Sequence, residues 1–351
     1  MDYRVLIYFP FGLIGGLGAY LIGAPMPFLL GGIFGTAAFV LFYERDGSRL
    51  PKMSRWVRLV FMSIIGAMIG SRFSPELFSL LPQFWISGLA IIPFILLAHG
   101  GSYAILRVLG KYRQLDAFYA SLPGGIIDSA ALAESAGADL RIVTAQHFMR
   151  IILVVTSIPL LFWFISGDTV GSLGGETLAA ADYDYVDVIL LLAIALSGLL
   201  FGQLTKLPVS HMMGPLVFAL VLSVNEVVSI NTPEWLTHFT QYMIGTALGS
   251  QFSGISRRLL MKGLWLGVLV GTYMLLLAAG VASLLFPYVP ADFEPMFISF
   301  AAGGLAEMSL IALSLNFNPV VVALHHLARI FLTIWIGIIL SRRFFRVAPK
   351  S

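Results

Sequence analysis

The chain has 351 residues, 58% of them hydrophobic and 11% charged, with a formal net charge of +3 and no cysteine. Roughly 25% of residues are charged in a typical soluble domain, and a mean hydropathy of +0.92 implies more apolar surface than a soluble fold of this length can hide, whereas a bilayer can solvate it. Disulfides, thiolate metal sites and thiol chemistry are excluded, and the small, scattered basic excess leaves no footprint for nucleic acid.

In chain order, Met1-Asp2-Tyr3-Arg4 runs straight into an apolar stretch with no small-residue cleavage site, which reads as a first membrane helix and not a removable signal. Stretches suited to spanning helices lie at 5–22, 25–43, 56–70, 77–106, 144–165, 185–203, 209–223, 236–250, 263–286 and 320–340. Several fall short of the ~20 residues a bilayer needs, so tilt or shielding by neighbours is expected. Two more, 115–138 and 295–317, are apolar but broken by glycine pairs and single acids.

An internal repeat organises these segments. IGAMIGSRFS at 65–74 matches IGTALGSQFS at 244–253, an offset of 179 residues. The same offset aligns GGIIDSAALAES…HFMR (124–150) with GGLAEMSLIALS…HLAR (303–329). Gly124-Gly125 then pairs with Gly303-Gly304, Asp128 with Glu307, His147 with His326 and Arg150 with Arg329. A weaker match relates Pro25 and Gly31 to Pro208 and Gly214.

Loop charge sets the orientation of the copies. Loop 44–55 carries Arg45, Arg49, Lys52 and Arg55, while its counterpart 224–235 has Glu226, Glu234 and no base. Loop 107–114 has Arg107, Lys111 and Arg113; 287–294 has Asp292 and Glu294. Arg257, Arg258 and Lys262 occupy 254–262, against Glu76 alone in 75–83. Loop charge thus predicts inverted repeats: a first at 1–165, an acidic extracytoplasmic linker at 166–188, a second at 189–341 and a cytoplasmic tail at 342–351. Both termini lie inside, in the inner (plasma) membrane.

An odd number of crossings per half requires that 115–138 and 295–317 turn back. The expected fold is therefore an all-α polytopic membrane protein, about five spanning helices per repeat with a re-entrant or broken helix in each. Non-helical backbone at membrane depth survives only where protein or water covers it. Asp128 and Arg150 are equidistant from the turn near Asp139, as are Glu307 and Arg329 from Asn318; at 1.5 Å per residue each stands ~16 Å from its turn. The acid and arginine of each half are expected to approach one another, with His147 and His326 on the arginine face.

The candidate substrate- and ion-binding residues are Gly124, Gly125, Asp128, His147, Arg150, Gly303, Gly304, Glu307, His326 and Arg329. Two roles stay open for the acid–arginine pairs: binding a small anion and a coupling ion (H+ or Na+), or holding the hairpins in place. Structural hydrogen bonds are the first expectation for the histidines. The glycine pairs suit either close packing or half-helix ends presented to a solute. Gly66-x-x-x-Gly70 and Gly245-x-x-x-Gly249 fit helix packing. Ser71-Arg72-Phe73-Ser74 and Ser250-Gln251-Phe252-Ser253 are weaker site candidates.

The repeated GG-x-x-[DE]…H-x-x-R and GSxFS blocks resemble the membrane AbrB-like family over essentially the whole chain, a family that also carries an ammonia monooxygenase label. Asp128 against Glu307, and Leu122-Pro123 against Ala301-Ala302, are departures from strict equivalence. The family is similar to antiporters and symporters with five-helix inverted repeats, in which a transport unit moves against a scaffold. That resemblance implies an ion-coupled secondary transporter of a small organic anion, with no cofactor and no enzymatic role, the partners being bilayer and solute, with a homo-oligomer left open. The alternative is a membrane sensor that regulates gene expression through a partner. No His/carboxylate cluster has metal-ligand spacing, and no DNA-binding motif is present.

Overall fold

The computed structural model describes residues 3–44, 49–71, 73, 81–166, 184–205, 207, 209–255, 257–315, 317 and 319–345. A 3-10 turn at Tyr3–Ile7 leads into α1 (Tyr8–Leu21), followed by α2 (Pro27–Tyr43), α3 (Arg55–Gly70) and α4 (Trp85–Val108). Two short helices, α5 (Gln114–Ala120) and α6 (Ile126–Ala136), precede the long α7 (Leu140–Ser166). The second half repeats the series as α8 (Tyr185–Leu204), α9 (Ser210–Val224), α10 (Glu234–Gly249) and α11 (Arg257–Leu285). It then has short α12 (Phe293–Phe300) and α13 (Leu305–Ser314), and long α14 (Pro319–Phe345). Among the described residues, six helices are long and apolar enough to cross a membrane, and the fold is all-α and polytopic.

Helix is the form that satisfies every backbone polar group within its own segment when water is absent. The ends follow local chemistry. Pro27 opens α2 at a position where its missing N–H is no loss. Ser54 caps α3 by accepting from the Trp56 N–H, and Asp184 with Asp187 forms a capping box on α8. Several helices outrun their apolar stretch: α7 starts at 140, α11 at 257, and α14 reaches Phe345, inside the expected tail. Helical hydrogen bonding continues through polar turns that hydropathy does not register. The helix expected from 77 begins as a 3-10 turn at Leu81–Phe84, residues 77–80 lying outside the described residues.

The chain packs as two compact units: Met1–Ser79, Pro159–Ile255 and Ser309–Val320; and Leu80–Ile158, Ser256–Met308 and Val321–Ser351. Each draws on both halves of the sequence, so compactness does not follow the repeat boundary.

In the first unit, α1–α3 and α8–α10 approach at glycines. A Cβ on Gly66 or Gly70 of α3 would strike the carbonyls of Met212 or Leu216 on α9. On Gly245 or Gly249 of α10 it would strike those of Leu29 or Ile33 on α2. Each GxxxG motif thus packs on a helix from the other half, backbone against backbone. The duplication extends to the turns, where Met26 (φ 46°) and Val209 (φ 47°) precede α2 and α9 in the same left-handed conformation. The polar block at 250–253 is also structural. Glu44 accepts from the Ser253 hydroxyl (2.7 Å) and from the Leu50 and Gly254 N–H groups (2.9 and 2.8 Å), and Ser250 accepts from the Met53 N–H (3.3 Å). In the first copy, Arg72 and Ser74 lie outside the described residues.

Candidate functional site

The second unit contains the first interrupted helix, and the second as far as Met308. In the first half, Pro123 and the glycines at 124–125 end helical pairing after α5, and α6 begins only at Ile126. The Asp116 carboxylate, near the start of α5, accepts from the Asp139 N–H at 2.8 Å and from Arg113 Nε at 2.7 Å. The start of α5 therefore lies beside the start of α7. Further along, His147 Nε2 meets the Tyr119 carbonyl at 3.0 Å, and Arg150 donates to the carbonyls of Leu122 (2.7 Å) and Gly124 (3.1 Å). These contacts climb in step, so α5 and the break run parallel to α7, and α6 returns to a turn at Gly137 (φ 78°). Segment 114–139 is a hairpin.

The second half repeats the histidine and arginine bonds of this plan, with Pro295 where the first half has Asp116. His326 Nε2 meets the Ile298 carbonyl at 3.0 Å, and Arg329 donates to the carbonyls of Ala301 (2.7 Å) and Gly303 (3.1 Å). Donor and acceptor in each case stand 179 residues after their first-half equivalents. Arg329 also donates to the Phe300 carbonyl (3.3 Å) and to His326 Nδ1 (2.9 Å). Carbonyls that the breaks release from helical pairing are thus taken by guanidinium forks, where the negative end of a short helix favours a cation. Arg150 and Arg329 are only 2% and 3% exposed.

The histidines each bond a backbone carbonyl just before the break of their own half. For Asp128, the backbone belongs to α6, but its side chain lies outside the described residues, and with it the expected approach to Arg150. Glu307 is buried in the first turn of α13, where its carboxylate fills the space a Cβ on Gly304 would take. Arg329 grips the carbonyl of Gly303 next door. Acid and arginine of the second half therefore converge on one glycine pair, with the carboxylate at the positive end of α13.

Two further histidines make buried bonds, His99 to Ser121 beside the first break and His325 to another helix. His99 of α4 bonds the Ser121 hydroxyl (2.9 Å) and His325 of α14 bonds that of Ser87 (2.9 Å). The sequence reading missed Asp116, although Arg113-x-x-Asp116 at a helix start is a legible i,i+3 signal. It also missed Thr333, one turn beyond Arg329. A Cβ on Gly124 would come within 3.0 Å of Thr333 Cγ2, which places α14 against the first break.

Comparison with known proteins follows these lines. A family model described as "Transition state regulatory protein AbrB" matches residues 28–345. A relative in Escherichia coli (strain K12) bearing the name "Putative regulator AbrB" is 25% identical over 344 residues, 96% of this chain and 95% of that one. "Uncharacterized protein YhjN" of Bacillus subtilis (strain 168) is 27% identical over 299 residues, 80% of this chain and 76% of that protein.

Proposed function

The chain belongs to the AbrB family, and from that premise we propose that it is an ion-coupled secondary transporter of a small organic anion or similar solute. One observation carries the reading: two breaks with duplicated histidine and arginine bonds, each a glycine pair gripped by a buried arginine. A soluble fold has no need of such a device, whereas discontinuous helices near the bilayer midplane are how transporters present helix ends and carbonyls to solutes and ions. The site is formed by Gly124, Gly125, Asp128, His147, Arg150 and their counterparts Gly303, Gly304, Glu307, His326 and Arg329. The acids carry the coupling proton, or ligate sodium.

The halves are inverted, 1–165 against 189–341, with both termini cytoplasmic and the acidic linker at 166–188 outside. The loop charges support this orientation. A second reading, a metabolite sensor that regulates gene expression through a partner, is favoured by the regulator name of the Escherichia coli relative.

Purified protein in liposomes separates the two. Solute flux driven by a proton or sodium gradient is expected. Saturable binding with no flux under any gradient would favour the sensor.

A further inference from the structure

The two breaks share a plan but not their furnishing. In the second half, Met308 stands over Gly303, with Cε 2.5 Å and Sδ 2.7 Å from the point where a Cβ would sit, and the Glu307 carboxylate lies over Gly304. At the position equivalent to Met308 the first half has Ser129, whose hydroxyl is 3.8 Å from the matching point on Gly124. Opposite, where α7 carries Val154, α14 carries Thr333, with Cγ2 3.0 Å and Cβ 3.2 Å from that point.

Thr333 is 1% exposed and its hydroxyl has no hydrogen-bond partner, not even the carbonyl one turn back on its own helix. Arg150 Nε and His147 Nδ1 at the same break also have none. In the second half Arg329 Nε shares this state, but His326 Nδ1 is taken by Arg329. A native fold satisfies its buried polar groups, so a cluster of spare ones beside small side chains marks a place for a partner.

We infer that the first break is the ligand-holding one and takes the carboxylate of a small organic acid, while the second is closed by its own Met308 and Glu307. A carboxylate accepts only, and the first break offers donors: the Thr333 hydroxyl and Arg150 Nε–H. A guanidinium already anchored to Leu122 and Gly124 is pre-set for such a ligand and loses little freedom on binding it. This inference rests on the transport reading for the ligand's role, not for its binding.

The test uses the full chain in detergent, titrated with sodium acetate, lactate and succinate against sodium chloride of equal ionic strength, with unfolding followed by tryptophan fluorescence. At least one carboxylate is expected to raise Tm. Its apparent affinity should fall about tenfold in Thr333→Val, as loss of one hydrogen bond to a charged ligand implies. It should hold in Thr333→Ser, Met308→Ser and Val154→Thr. The inference is overturned if no carboxylate raises Tm, if Thr333→Val or a misfolding Thr333→Val with a non-binding Thr333→Ser breaks this order, or if Met308→Ser weakens binding equally. Flux of the bound acid that ignores Thr333→Val also sinks this site and leaves transport standing; Thr333-dependent binding without flux does the reverse.

Discussion

The side chain of Asp116 accepts a hydrogen bond from the backbone of Asp139 across 23 residues. That bond closes the first hairpin at its base, because the turn at Gly137 delivers the chain back to the level at which α5 began. The carboxylate is 1% exposed, and its other partner, the Arg113 guanidinium, faces solvent. Most of its value therefore lies in the backbone bond.

Asp116→Ala is expected to cost about 1–3 kcal/mol, the usual loss for a buried acceptor of this kind. Asp116→Asn, which keeps an acceptor oxygen, should cost less. Thermal unfolding of both variants, with hydrogen exchange across residues 137–142, checks it. Unchanged exchange in Asp116→Ala would show that the base is held by other contacts.

Legibility in the sequence divided along physical lines. Arginine, histidine and acid in apolar helices stand out because their burial is costly, so the GG…H-x-x-R repeat could be read directly. Its backbone half could not: the acceptors on Tyr119, Leu122 and Gly124 are carbonyls that every residue has. Asp116 was one single acid within the apolar segment 115–138, and its burial beside the Asp139 N–H is a long-range contact that no local pattern encodes. Thr333 was passed over because a hydroxyl in an apolar helix ordinarily bonds its own backbone, which this one does not. The two packing units were illegible because the GxxxG helices pair across halves, a long-range choice that no local pattern encodes.

The inverted orientation predicts a labelling pattern. Single cysteines placed in loops 166–188 and 224–235 are expected to react with impermeant thiol reagents in intact cells, and those in 44–55 and 107–114 only after permeabilisation. The native chain lacks cysteine, so no background arises. Equal labelling of 44–55 and 224–235 would make the repeats parallel.

For the acids, Asp128→Asn and Glu307→Gln are each expected to abolish transport or free it from its coupling ion while the protein still inserts and folds. Glu307→Gln can retain the packing over Gly304, since the amide has the same shape, but it cannot carry a proton. Flux measured in liposomes across pH decides: normal, pH-dependent transport in both variants would assign these acids to structure.

The glycine contacts of the first unit set a stability test. Gly66→Leu and Gly245→Leu each drive a side chain into a backbone carbonyl of the partner helix, where nothing flexible can yield. Losses at or above the ~1–3 kcal/mol typical of overpacking are expected, similar in the two halves. Tm shifts that differ greatly between the pair would mean that the duplicated crossings are not energetically alike.

The last prediction concerns the two arginines together. Each guanidinium holds two break carbonyls, so Arg150→Gln and Arg329→Gln should each destabilise by a few kcal/mol, with part of the loss from stranded buried acceptors. Both guanidiniums belong to the second unit, and Thr333, one turn beyond Arg329, packs on Gly124, whose carbonyl Arg150 holds; like charges so placed repel, and each single substitution also relieves that repulsion. The sum of the two single effects counts this relief twice, whereas the double variant enjoys it once. The double variant is therefore expected to lose more stability than the two singles combined, with a coupling above the ~0.3–0.5 kcal/mol at which independent sites add. A double-mutant cycle on chemical denaturation in mixed micelles measures it. Additivity within that margin would mean that the arginines act as separate anchors.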